Sequence, residues 1–226
     1  MSIESFTKHY ILPQTIKFVN ETYSPQRLIR RFDEPIPEKY TGKSSYRSRI
    51  GIIMEGVLGD KINEILSQSF SNQFTLTNNL VNEFPDFYIR DQSFNIKMGL
   101  DIKCVHRKSE EKSARFDTLI KDLKEDDFLL LISWDWKSIG DASFPYILDH
   151  ALIKAIPIAK ERDKRLRITG GCIQDGKVYI KSKKDNKMIK DNHNFGKLNR
   201  LIHESRINQL FCKDVEEYIK FTKKLD

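Results

Sequence analysis

The stretch EFPDFYIRDQSFNIKMGLDIKC, Glu83 to Cys104, decides how this chain is read. Two strand-like runs, FPDFYIR and FNIKMGLDIKCV, flank Asp91-Gln92-Ser93 and predict a β-hairpin. In the second run Leu100, Ile102 and Cys104 share one face by the two-residue period, and Asp101 and Lys103 share the other. Asp86, directly after Pro85, is expected on the adjacent strand. A carboxylate near a core is costly unless it is paired or holds a metal. Two carboxylates and a lysine in one hairpin therefore call for an account.

Outward from the hairpin, residues 45–70 predict a helix. Ile50, Ile53, Met54, Val57, Leu58, Ile62, Ile65, Leu66 and Phe70 recur there at threes and fours as a buried stripe. Residues 1–44 read as a short helix and an irregular arm, and 108–124 as a charged helix. The nearly continuous apolar run Asp127–Trp136 reads as a central strand covered on both faces. Residues 143–163 are expected to be a helix, kinked or interrupted near Pro157. LRITGGCI and KVYIKS are expected as short strands around a Gln174-Asp175-Gly176 turn. The lysine-rich segment 181–192 reads as an exposed loop, and helices are expected at about 196–207 and 212–224. This order predicts an α/β fold, a central mixed β-sheet flanked by helices.

At 226 residues, 39% hydrophobic, the chain is expected to be one domain with a real core. No apolar run is long enough to span a membrane. The N-terminus lacks a leader pattern, so a cytoplasmic location is expected. Cys104, Cys172 and Cys212 are widely spaced and read as reduced thiols. His193, His203 and Cys212 lack the spacing of a zinc site. No phosphate-binding glycine loop is present, which argues against ATP-driven or nicotinamide chemistry. A net charge of +7 is compatible with a polyanionic partner.

Phosphodiester hydrolysis would use the charged hairpin well. It needs a positioned water and positive charge near the phosphate; Mg²⁺ supplies much of this from one or two carboxylates plus water and substrate oxygens. A neighbouring lysine can orient the water and stabilise the charge that develops. Asp86, Asp101 and Lys103 are such a set, with Ile102 anchoring the strand.

On these residues the chain resembles the PD-(D/E)xK nucleases, which include most type II restriction endonucleases. Pro85-Asp86 matches the PD element and Asp101-Ile102-Lys103 the (D/E)xK element. Glu55, on the helix of residues 45–70, matches the glutamate that members often carry upstream; Gly51, Gly56 and Gly59 beside it would allow close approach of helix, strands or DNA. The resemblance covers about residues 45–136 and implies a restriction-endonuclease-like core ordered helix–β–β–helix–β.

The resemblance implies a metal-dependent nuclease. Asp86, Asp101 and the Ile102 carbonyl would hold Mg²⁺, with Mn²⁺ as a substitute. Glu55 would bind a second ion directly or through water, or else orient Lys103 and the metal waters. Lys103 would position or activate the attacking water. The substrate would be double-stranded DNA, cut at a palindromic site (AT-rich being one option) to leave 5′-phosphate and 3′-hydroxyl ends. The segments before Arg47 and after Trp136 would supply base recognition and a homodimer contact, as in a restriction-modification system, since a two-fold dimer mirrors a palindrome. Arg27, Arg30, Arg31, Arg47, Arg49, Arg107, Lys183 and Lys184 are the candidate DNA contacts.

Plainer accounts stay open. Asp86 could belong to a Pro-Asp turn, Asp101 and Lys103 to a solvated strand face, Glu55 to a polar helix edge, and the basic residues to solvated surface. His106 and Arg107 could simply end their strand, and Trp134 and Trp136 read as core packing. A repair or recombination nuclease, or a non-catalytic DNA-binding protein, are the competing functions.

Overall fold

The computed structural model describes residues 2–22, 44–69, 73–81, 83–108, 116–139, 142–191 and 212–223. The chain opens with α1 (Ile3–Phe6), a π-helical turn (Thr7–Ile11) and α2 (Leu12–Thr22), followed by α3 (Ser44–Ser69). Strands β1 (Phe74–Asn78), β2 (Phe87–Asp91), β3 (Ile96–His106), β4 (Asp127–Ile139) and β5 (Ala142–Lys154) form one sheet in that spatial order. All its neighbours are antiparallel except β3 and β4, so the sheet is mixed. Then come α4 (Ala155–Ile168), a small antiparallel sheet of β6 (Cys172–Gln174), β7 (Lys177–Lys181) and β8 (Met188–Lys190), and α5 (Lys213–Lys223). The fold is α/β. Among the described residues no helix is long and apolar enough to cross a membrane.

Both faces of the sheet are covered, each by its own core. Leu100, Ile102, Leu130 and Ile132 pack with the α3 stripe (Ile50, Met54, Val57, Leu58, Ile62, Ile65, Leu66) and with Ile11, Leu12 and Val19 of the N-terminal helices. Val105, Leu129, Leu131 and Ile153 pack on the other side with Ile158 of α4 and Val215, Tyr218 and Phe221 of α5. Burial on both sides explains why β4 reads as nearly continuous apolar sequence. Trp134 is fully buried and Trp136 packs against the first core, as expected of them. In the stripe, Ile53 instead remains 43% exposed, and Phe70 lies outside the described residues.

Four expectations are corrected. Residues 143–163 do not form one helix: Ala142–Lys154 is β5, and α4 starts at Ala155. Ser143, Pro145 and Ile147 are buried alternately with less buried neighbours, a period of two that five scattered apolar residues had masked as helical. Pro145 is tolerated because β5 is an edge strand, and Pro157 sits in the first turn of α4, where its missing N–H costs nothing. Within 108–124 the described residues hold only one 3₁₀ turn, Ile120–Asp122. Leu166–Ile168 finish α4 rather than start a strand; the chain turns at Gly170 (φ 78°), and Gly171 N–H returns to the Leu166 carbonyl at 2.8 Å. The expected loop 181–192 contains β8. The helix expected at 196–207 lies outside the described residues.

One irregularity of the sheet positions everything that follows. β2 pairs with β3 only as far as Phe87 opposite Leu100, whereas β3 runs on to His106. From Asp101 onward β3 is bonded to β4 on one side and has an open edge on the other.

Candidate active site

An open strand edge leaves backbone N–H groups that need partners. Asp86 and Glu55 supply two. The Ile102 N–H donates to Asp86 Oδ2 at 2.8 Å, and the Cys104 N–H donates to the Glu55 carboxylate. Residues two apart along a strand present their N–H groups on the same side, so both carboxylates line one edge. The Ile102 carbonyl shares that side with its N–H, because both polar groups of one strand residue point the same way. Asp86 is not on a strand: it directly precedes β2, and its position is set by the preceding loop. There Asn79 N–H donates to the Asp86 carbonyl at 2.8 Å, and the Asn79 amide donates to the carbonyls of Pro85 (3.0 Å) and Glu83 (3.1 Å).

Two glycines allow the close approaches. A Cβ on Gly59 would lie 2.8 Å from the Phe87 ring, so α3 can rest on the start of β2 only because that side chain is absent. A Cβ on Gly99 would meet Pro85 at 3.0 Å and collide with the Asp127 carboxylate. Of the other two α3 glycines, Gly51 faces Cys104 at an ordinary distance and Gly56 faces open space.

Asp101 and Lys103 share the opposite face of β3 from Leu100 and Ile102, as the period requires. That face is not solvated: Asp101 is 3% exposed, and Lys103 Nζ stands 2.7 Å from its Oδ2. Burial, with Asp86 and Asp117 adding to it against the pull of Lys103, pushes the Asp101 carboxyl up to about 7. Burial and then the Asp86 charge push Glu55 up to about 7 as well, opposed by Lys103 and the Cys104 N–H. Burial works against the Lys103 ammonium, but Asp101, Asp86 and Glu55 outweigh it and hold its pKa above the ordinary lysine value. Three carboxylates thus crowd one ammonium, leaving two negative charges uncompensated when all are ionised.

The group opens into a cleft of about 660 Å³. Besides Asp86, Asp101 and Lys103, the cleft is lined by Glu83, Asp117 and Asp122, with Phe84 and Phe116 as its apolar wall. Phe84 and Phe116 pack tilted at 50° to each other, 5.4 Å between ring centroids. The Phe116–Asp117 segment is tied from behind: buried Arg162 donates from Nη1 to the Phe116 carbonyl at 2.7 Å and from Nε to Asp163 at 2.9 Å. Sequence reasoning missed Asn79, Glu83, Asp117 and Asp122. Asn79 follows the unread strand β1, whose Phe74/Leu76 alternation with Thr75/Thr77 was the available signal. Asp117 and Asp122 fell in a segment read as helix, and no pattern there separates them from ordinary surface acids.

The remaining candidates scatter. Arg47 is half-buried on α3, its Nη1 donating to the Lys108 carbonyl at 3.3 Å, and Arg49 and Arg107 are exposed. Lys183 and Lys184 are exposed in the β7–β8 turn. Arg27, Arg30 and Arg31 lie outside the described residues. His106 is buried edge-on to Trp134, accepts the Lys108 N–H at Nδ1 and holds Nε2 3.3 Å from Asp135 Oδ1. Burial, then Arg47, pushes it down to about 4, so it is a neutral, packed end to β3.

Among the described residues no three His, Cys, Asp or Glu side chains form a ready-made metal-binding group. The donor set fits a hard ion that uses few protein ligands. Asp86 and Asp101 are oxygen donors with too little positive charge around them, and Mg²⁺ ordinarily takes one or two carboxylates and completes its shell with water and substrate phosphate. No family model matches the chain, and no curated protein matches it.

Proposed function

We propose that this chain is a Mg²⁺-dependent endonuclease of the PD-(D/E)xK type, hydrolysing double-stranded DNA in the manner of a type II restriction endonuclease. The observation that carries the reading is the gathering of Asp86 and Glu55, each remote in sequence, beside Asp101 and Lys103 at the open edge of β3, with Asp86, Asp101 and Lys103 lining an acidic cleft. The solvated-face reading of Asp101 fits its burial poorly, and Asp86, though it sits in the loop before β2, turns its carboxylate onto the Ile102 N–H of β3. The path from α3 through an antiparallel hairpin to a parallel β4 also supports it, although among the described residues of 108–124 a 3₁₀ turn stands where a helix was expected.

In this reading Asp86 and Asp101, with the Ile102 carbonyl, hold the ion, and Mn²⁺ serves in its place. The ion would supply Lewis acidity and lower the pKa of a bound water. Lys103, held as an ammonium, orients that water and faces the charge that develops on the phosphate, rather than removing a proton itself. Glu55 and Asp86 fix the strand edge from which the Ile102 carbonyl projects. A homodimer would present two such sites to a palindrome.

An acidic cleft is a poor surface for bare DNA, which disfavours a non-catalytic binding protein. Digestion of plasmid and of sequenced genomic DNA, in Mg²⁺ and in EDTA, tests the assignment. Discrete fragments appearing only with Mg²⁺, and lost on Lys103→Ala or Asp86→Ala, are expected. A smear would indicate a repair or recombination nuclease. Full cutting by both variants, or no cutting by the native chain with any divalent ion, would remove the assignment.

A further inference from the structure

We propose that the lysine-bearing face of the small β6–β7–β8 sheet is a docking surface for the phosphate backbone of the duplex whose scissile strand enters the cleft. The proposal rests on the nuclease reading of that cleft and adds to it the place where binding strength comes from.

The register fixes the composition of the face. Gln174 pairs with Lys177, Tyr179 with Lys190, and Lys181 with Met188, and directly paired residues share a side of a sheet. One face therefore carries Lys177, Lys181 and Lys190 with Cys172, Gln174, Tyr179 and Met188. The other carries Ile173, Val178, Ile180 and Ile189. No carboxylate falls on the lysine face, because Asp175 and Asp185 sit in the two turns and Asp191 follows β8 with the opposite parity. All three lysines are exposed, and among the described residues none is held in an ion pair. Lys177 and Lys181 are four residues apart, about 13 Å along the strand. That distance matches the axial rise of about four nucleotides of one DNA strand.

The position of the sheet gives the partner. A Cβ on Gly176, at the tip of the β6–β7 turn, would lie 4.0 Å from Leu119, which directly follows Asp117 and Thr118 of the cleft wall. A polyanion entering that cleft meets five carboxylates and one ammonium, so its affinity has to be supplied by cations beside the cleft rather than in it. The lysine face is a cationic surface, free of carboxylates, on a sheet whose β6–β7 turn lies beside Leu119, next in sequence to the cleft wall. Phosphate contacts of this kind hold the duplex in position and read no bases.

The test is binding of a labelled duplex of about 25 base pairs in EDTA, at several salt concentrations, by the native chain and by the triple variant Lys177→Ala/Lys181→Ala/Lys190→Ala. Loss of three phosphate contacts is expected to reduce the slope of log K against log salt by about 2.7 and to weaken binding tenfold or more at moderate salt. Should the triple variant lose its circular dichroism signal, the three single Lys→Gln variants replace it, each expected to lower the slope by about 0.9. Native-like affinity and slope in well-folded variants overturn the surface, while Mg²⁺-dependent cutting by the native chain, run in parallel, leaves the cleft reading standing. A native chain that neither binds nor cuts duplex DNA overturns both.

Discussion

Asn79 carries no charge and cannot take part in hydrolysis, yet it donates three hydrogen bonds to the loop that carries Asp86. It is a positioning residue. Asn79→Ala should cost about 1–2 kcal/mol of stability from bonds left unmade. It should also raise the Mg²⁺ concentration for half-maximal cutting and lower the rate roughly tenfold, because small displacements of a catalytic group are expensive. DNA affinity in EDTA should be unchanged, since Asp86 is not needed to hold the duplex. A magnesium titration of cleavage settles it: a native midpoint in the variant would mean that the loop keeps its shape without the amide. At this scale the sequence was informative where chemistry has a period. Asp101 and Lys103 stand two apart on a strand, and Asp86 precedes its partner strand. Asn79 has no such mark, because its role comes from where the loop folds back.

The elements were legible where the pattern of burial stays constant along the element, one-sided in α3 or two-sided in β4, and obscure where it changes part-way. α3 shows its stripe because only one face is covered, so the period of 3.6 survives in the sequence. β5 is buried on alternate residues up to Ile147 and then on three in a row, Ala151 to Ile153, after a bulge at Ser133/Trp134 opposite Leu148. That pattern imitates a helix until the pairing is known. How α3 meets β2 gives a paired prediction. Gly59→Ala gains about 1 kcal/mol of helix propensity but forces a methyl against the Phe87 ring, an overpacking that costs about 1–3 kcal/mol. Gly56→Ala gains the propensity with nothing nearby to meet. Thermal melts should therefore move in opposite directions, down or unchanged for Gly59→Ala and up by a few degrees for Gly56→Ala. A clear rise for Gly59→Ala would show that Phe87 yields freely and that the approach is not tight.

For the whole molecule the crowded carboxylates set how stability responds to pH. Asp101 and Glu55 are pushed up to about 7, well above their unfolded values, so the folded state binds more protons than the unfolded one between about pH 4 and 7. Stability of the metal-free protein from these groups must fall as pH rises through that range. His106, pushed down to about 4, works the other way, and its contribution is complete above its unfolded value of about 6.5. From pH 6.5 to 8.5 the carboxylate effect dominates, with the buried Cys104 thiol, pushed up by burial, acting in the same direction: a loss on the order of 1 kcal/mol, or about 2–4 °C in Tm. Glu55→Gln should flatten the profile. A Tm that rises across this window in EDTA would contradict the burial of these groups.

The open edge of β3 also bears on how copies of this chain behave toward each other. Unpaired strand edges are templates on which a neighbouring chain can add a strand, and proteins commonly block them with charge. Here the blocking charges are Asp86 and Glu55, which already occupy the Ile102 and Cys104 N–H groups. Removing either side chain, as in Asp86→Ala, takes away a candidate metal ligand and unseals the strand in one step. Such a variant is open to edge-to-edge aggregation, whereas Asp86→Asn keeps a side-chain oxygen for the Ile102 N–H. The residues that make the site costly to fold are also those that keep its strand from becoming the seed of an aggregate.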